Sequence, residues 1–412
     1  MRRTRNMKFN LRTLLFAAVA GLAVGFTSCS DDDFTDTIFN SDPRQDYLDK
    51  TQYTFPLDTF IKKEFLEPYN VKFTYKFDDK GSDKNKNLTP ASYDKCVDLA
   101  VLTKFMWYDV YKKLAGVEFL KKFSPRVINL TGSKNYNPSS GTETLGDASS
   151  GVKINLYNVN NLDVNDIEML NEYSFKTMHH EFAHILDQTI LRPTTFNTIS
   201  SSGYDASGWS DAADSLKAGA GFVTPYASSS VTEDWAESLA NYITMDSLKW
   251  EEKLASASYE WEEIDCDSKA DYNKLLSPGC DLDTIGYFKE TKSGVNNKIY
   301  RRKCLRNGDG TVALDDQGKP QWVHDTGVDG KSVILRKVDL VRTYLKENFN
   351  IDLDELRKTV QELTYVTDEN GKFVVNQYNE LINRLTSIQP SGKTLMDELR
   401  DEVYKYKALQ SE

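Results

Sequence analysis

Only four histidines occur in 412 residues, and three of them, His179, His180 and His184, fall within six positions. The string His180-Glu181-Phe182-Ala183-His184 sits in a stretch from about Asn171 to Thr189 that contains no Pro or Gly. Phe175, Met178, Phe182, Ile185 and Leu186 stripe it at helical spacing. On a helix, positions i and i+4 lie on one face a turn apart, so the imidazoles of His180 and His184 can grip one metal ion. Glu181, rotated by about 100°, can reach a water beside that ion. The chain must therefore present this helix to a cleft, and the rest of the fold must supply what such a site lacks.

Two nitrogen ligands in an HExxH string suit zinc, which lowers the pKa of a bound water toward ~7 while a neighbouring carboxylate takes its proton. Hydrolysis of an amide is the natural outcome, with Glu181 as general base. The bland alternative is a pair of histidines on a packed helix surface. A catalytic zinc needs a third protein ligand. A metzincin would have glycine where Asp187 stands and histidine where Ile190 stands, so that arrangement is excluded. Downstream, Glu233-Asp234-Trp235-Ala236-Glu237 opens a second expected helix, Val231 to Asp246, striped by Trp235, Leu239, Tyr242 and Ile243. As in a gluzincin, Glu233 would complete the zinc site and Glu237 would accept the other ring N–H of a zinc-bound histidine. The competing role for Glu233 is a capping box with Ser230. Tyr226, seven residues before Glu233, is a candidate donor to an oxyanion, against ordinary packing. His179 faces away from the pair and reads as a bystander or a support behind it.

The remaining pattern mixes strand and helix periods and implies an α+β fold. Tyr69, Val71, Phe73, Tyr75 and Phe77 alternate as in a half-buried strand, and Pro90 to Phe123 is expected helical with a break near Gly116. Arg126 to Leu130 and Val152 to Tyr157 are further strands, the latter expected at the sheet edge above the zinc. Between them lies a loop rich in Gly, Ser and Asn. A catalytic domain over 53–250 precedes a mostly helical C-terminal region, 251–412, interrupted by a loop and hairpin insertion at about 281–331. Its punctuation is Asp309-Gly310, Gly318 and Asp329-Gly330. No internal repeat is evident.

The first 28 residues read as a secretory signal: Arg2, Arg3, Arg5, Lys8 and Arg12 precede an apolar run from Leu14 to Phe26. Phe26-Thr27-Ser28-Cys29 resembles a lipobox, with Cys29 the acylated first residue, and 29–52 is an acidic tether. Removing those five cations from 51 leaves 46 basic against 62 acidic residues, a net of −16, which disfavours nucleic acid as a partner. Cys96, Cys266, Cys280 and Cys304 allow up to two disulfides without indicating their pairing.

The strings Pro68-Tyr69-Asn70-Val71, Thr177 to Leu186 and Glu233 to Glu237 resemble the substrate-import-associated zinc metallohydrolase lipoproteins of Bacteroides relatives. The later glutamate helix also resembles the catalytic domain of the anthrax lethal factor type of gluzincin, which implies the oxyanion role for Tyr226. The resemblance implies one zinc per chain and a peptide or protein substrate. It also implies an outer-membrane lipoprotein, anchored by lipid and exposed at the surface or facing the periplasm. The implied neighbours are a TonB-dependent importer and its surface glycan-binding lipoprotein. A different class of function is a surface binding module for glycan or peptide that keeps zinc without catalysis.

Overall fold

The computed structural model describes residues 48–410 apart from 78–85, 138–142, 145, 150–152, 259–260, 267–283, 292–293, 303–304, 315, 319–320 and 322–328. The signal sequence, Cys29, the acidic run after it, Cys280 and Cys304 lie outside the described residues. Helix α1 (Phe55–Ile61) takes Pro56 in its first turn, where a missing N–H costs nothing. It runs on through a π turn to a last helical turn, Glu67–Tyr69, which Asn70 ends in the left-handed conformation at φ 56°. Strand β1 (Lys72–Thr74) follows. The alternation through Tyr69, Val71, Phe73 and Tyr75 marks four inward-facing side chains, all buried. Pairing is nevertheless confined to three residues, because Pro68 favours the helical turn before them.

Helices α2 (Tyr93–Thr103) and α3 (Asp109–Ala115) are joined by a π turn, and Gly116 at φ 87° separates α3 from α4 (Val117–Phe123). Strands β2 (Val127–Leu130), β3 (Asn135–Tyr136), β4 (Glu143–Thr144), β5 (Gly146–Ser149) and β6 (Lys153–Leu156) come next. The main sheet has the order β1-β2-β6-β5, with β1, β2 and β6 parallel and β5 antiparallel. Ile128 sits opposite Ile154, and Gly146 opposite Leu156. The expected edge strand is therefore interior: β6 is paired on both sides, and β5 forms the edge. The Gly- and Ser-rich composition of 141–151 disguised a strand, since its residues have little β propensity and are held by the ladder to β6.

Helix α5 (Lys176–Thr189) carries the HExxH string. Phe182 inserts into a cluster of Trp107, Tyr111 and Phe119, with ring centroids 4.9, 5.1 and 6.0 Å away. Helix α6 (Val231–Thr244) starts at Ser230, whose hydroxyl accepts from Glu233 N–H. Its Trp235 meets Phe196 and Tyr344 edge-on, and Ala236 and Ala240 are fully buried, which permits close approach of α5. Helix α7 (Ser247–Ser256) is capped by Asp246. Strands β7 (Trp261–Cys266), β8 (Thr284–Thr291) and β9 (Gly294–Arg302) make an antiparallel sheet, order β7-β9-β8, where part of the loop-rich insertion was expected.

The C-terminal helices are α8 (Gly330–Phe349), α9 (Leu353–Thr364) and α10 (Leu395–Tyr404). One hydrophobic core runs from Leu57 through Phe182 and Trp235 to Val403 and Tyr406, so these helices share the core of the site-bearing elements. Gln361 of α9 donates to the carbonyls of Ile243 and Thr244 at the end of α6, and Arg400 of α10 forks onto buried Asp98 of α2 at 2.7 and 2.9 Å.

Between α9 and α10 the expected helix gives way to tight hairpins, and these form an internal repeat absent from the sequence reading. Backbone bonds link Val366 N–H to Ile382, Ile382 N–H to Val374 and Val374 N–H to Val366, closing a ring of three residues eight apart. Leu305, Gln321 and Ala313 close the same ring in the insertion. Each loop pairs an acceptor with a left-handed residue three positions on, as in Asn307 and Gly310, Asp368 and Gly371, Asn376 and Asn379, Gln389 and Gly392. This is a type I turn closed by a bulge, and it recurs where Gly or Asn supplies the positive φ.

Candidate metal centre

The back of α5 is fixed by Phe182, Met178 and Leu186 in the core, which turns His180 and His184 toward α6. His180 Nε2 lies 3.0 Å from Glu233 Oε2 and 3.1 Å from His184 Nε2, and His184 Nε2 is 3.3 Å from the same carboxylate oxygen. The two imidazoles stand nearly perpendicular, at 83°. These three atoms form the metal-capable cluster among the described residues. Ligands about 2.0–2.1 Å from a tetrahedral zinc lie about 3.3 Å from one another, so the triangle fits one face of its coordination sphere. His180 Nδ1–H donates to Glu237 Oε1 at 2.8 Å, which leaves Nε2 as the coordinating atom.

Glu237 is itself held from two sides. Its second oxygen accepts from Thr224 Oγ1 at 2.7 Å and from Asn241 Nδ2 at 3.1 Å. Burial alone would push both carboxylates up, but the histidines draw Glu233 well below the ordinary range, and Lys176, His180 and Thr224 draw Glu237 down to about 2. In the metal-free protein burial works against a charged His180, yet the carboxylates of Glu233 and Glu237 hold its proton up to about 10. A cation is thus favoured where the three ligand atoms meet, and zinc fits that demand.

The expected site residues converge. Glu181 is buried beside His180, and both line a cleft of about 1220 Å³ with Tyr226, Thr224 and Trp209. Tyr226 begins a short helical turn before Ser230, 37% exposed, its ring 5.9 Å from that of His180 and packed against Trp209. Burial first, then the charge of Glu233, pushes its phenol well above the ordinary value, so it remains a donor. Only Ser230's half of the capping box is present: its Oγ accepts from the Glu233 backbone N–H at 3.3 Å, while the Glu233 carboxylate turns to the histidines and not back to the Ser230 N–H. His179 faces the core, where its Nδ1 and the Tyr111 hydroxyl lie 3.0 Å apart and burial pushes its pKa down to about 3. Sequence reasoning missed Thr224, Asn241 and Trp209. Asn241 was findable, one helical turn after Glu237; Thr224 and Trp209 act across folded loops with no periodic signal.

Residues 50–354 match a family described as "Putative zinc-binding metallo-peptidase". The chain is also similar to the crystal structure of a "putative zinc-binding metallo-peptidase" from Bacteroides caccae. The two are 26% identical, the match covers 79% of this chain and 95% of that one, and the TM-score is 0.50. No curated protein matches the chain.

Proposed function

The chain belongs to this family of zinc-binding metallo-peptidases, and on that premise we propose that it hydrolyses peptide bonds as a gluzincin with a zincin-like catalytic fold. The observation that carries the reading is the convergence of His180 Nε2, His184 Nε2 and Glu233 Oε2, with Glu237 behind His180. These three residues would hold one zinc ion. When bound, zinc supplies Lewis-acid chemistry, polarising a carbonyl and lowering the pKa of water. Glu181 takes the proton of the attacking water and returns it to the leaving amine. Tyr226 donates its hydroxyl to the oxyanion as the carbonyl carbon becomes tetrahedral. Glu237 keeps His180 in the tautomer and orientation that ligation needs. An extended peptide pairs with the edge strand β5, which runs antiparallel to its neighbour.

The lipobox-like Cys29 and the acidic residues after it support an outer-membrane lipoprotein, and the resemblance to import-associated lipoproteins implies a nutrient importer as its neighbour. Replacing Glu181 with Gln tests the chemistry. The variant should keep one zinc per chain and lose hydrolysis of a peptide library; undiminished turnover refutes the mechanism. Tight capture of glycan or peptide without turnover by the wild type would establish the binding-module function instead.

A further inference from the structure

Glu233 stands in the first turn of α6, where backbone N–H groups lack helical partners and the helix frays most easily. Its neighbour Asp234 is fully buried and accepts from Lys337 Nζ at 2.7 Å and from the Tyr204 hydroxyl at 2.9 Å. Lys337 comes from the middle of α8 and is only 1% exposed. Its ammonium also donates to the Gly221 carbonyl at 2.8 Å and lies 4.2 Å from the centre of the Phe222 ring. Gly221 and Phe222 open the segment that delivers Thr224 to Glu237 and Tyr226 to the cleft. Helix α8 presses directly on that segment, since a Cβ at Gly221 would collide with Val333. One ammonium therefore grips both the turn that bears Glu233 and the strap that bears Thr224 and Tyr226.

A buried ion pair is a weak source of net stability, because removing two charges from water costs about as much as their attraction returns. Burial indeed pushes Asp234 up and Lys337 down, each toward its neutral form. What the pair supplies is location. We infer that Lys337 and Asp234 are positioning residues for the metal centre: they hold the first turn of α6 against the Gly221 strap, so that Glu233 meets the histidines and Thr224 meets Glu237. The inference rests on Glu233 being a zinc ligand, as proposed above. It makes α8, far along the chain from the HExxH helix, part of the site's framework.

The test uses the full chain and reads zinc affinity by chelator competition, together with the visible spectrum of the cobalt-substituted protein. Lys337→Met leaves Asp234 buried without its cation, so the double variant Asp234→Asn, Lys337→Met is the informative one. It should melt close to wild type yet bind zinc on the order of tenfold more weakly, with altered cobalt bands, as loss of outer support does at other metal sites. A double variant with zinc affinity within about twofold of wild type and an unchanged cobalt spectrum overturns the inference. Should the double variant fail to fold, Asp234→Asn alone keeps the side-chain shape and the Tyr204 neighbour while removing the carboxylate that Lys337 grips. Weakened zinc binding there supports the inference, and unchanged binding overturns it. Glu233→Ala runs alongside. If it keeps wild-type zinc affinity, the ligand assignment itself falls; if it loses zinc while the double variant does not, only the positioning role falls.

Discussion

Glu237→Gln isolates what the carboxylate behind His180 contributes, because the change removes a charge and keeps the shape. Three donors converge on Glu237: His180 Nδ1–H at 2.8 Å, the Thr224 hydroxyl at 2.7 Å and the Asn241 amide at 3.1 Å. A carboxylate offers two oxygens and satisfies all three. A glutamine offers one oxygen and an NH₂ group, so at least one of the three partners must switch to accepting or lose its bond, and a donor left unmet in this buried site costs about 1–3 kcal/mol. If the amide oxygen turns to His180, the imidazole keeps its tautomer but loses the charge that makes it a strong ligand. If the NH₂ turns to His180, Nδ1 must accept, the proton moves to Nε2, and the ligand lone pair is lost. Either way zinc affinity should fall about 10–100-fold, equivalent to about 1.4–2.8 kcal/mol. Competition with a fluorescent zinc chelator measures this, with circular dichroism to establish folding. A folded Glu237→Gln protein that binds zinc within about twofold of wild type would refute the reasoning.

Tyr226→Phe should lower kcat by about 10²–10³ with KM and zinc content little changed, because its phenol acts on charge that develops in the transition state; steady-state kinetics with an unaffected kcat would return Tyr226 to a packing role. Burial pushes the Cys96 thiol from 9.0 up to about 12. The folded-state pKa is raised, so the stability gained by keeping this thiol protonated is complete below 9.0 and is lost as the pH climbs toward about 12. At the lower of those values iodoacetamide should modify the Cys96 peptide in urea and spare it in the native protein, and equal labelling in both would disprove the burial argument.

The site was more legible than the fold around it, for a physical reason. His180, Glu181 and His184 announce themselves because a helix forces i and i+4 onto one face, and Glu233 and Glu237 repeat the device one helix later. Partners joined by tertiary contact leave no such trace: Lys337 reaches Asp234 from 103 positions away, and nothing in either string foretells it. The sheet failed in the reading where local propensity and pairing disagree. Gly146 to Ser149 has the composition of a loop, yet it is held as a strand by β6. The segment from Tyr365 to Thr394 failed for the opposite reason, since it was read with its neighbours as helix while the turn residues Gly371, Asn379 and Gly392 went uncounted.

Those hairpins bear on how the chain itself meets proteolysis. A peptidase draws its substrate out as an extended strand and reads the backbone on both sides of the cut. From Val366 to Leu395 the chain doubles back at every turn, and the backbone groups flanking each turn are already bonded to one another. To be digested, this stretch must first give up the ring of hydrogen bonds that joins Val366, Val374 and Ile382. Leu385 also pins the stretch into the hydrophobic core, so a peptidase meets bonded turns there rather than an extended segment.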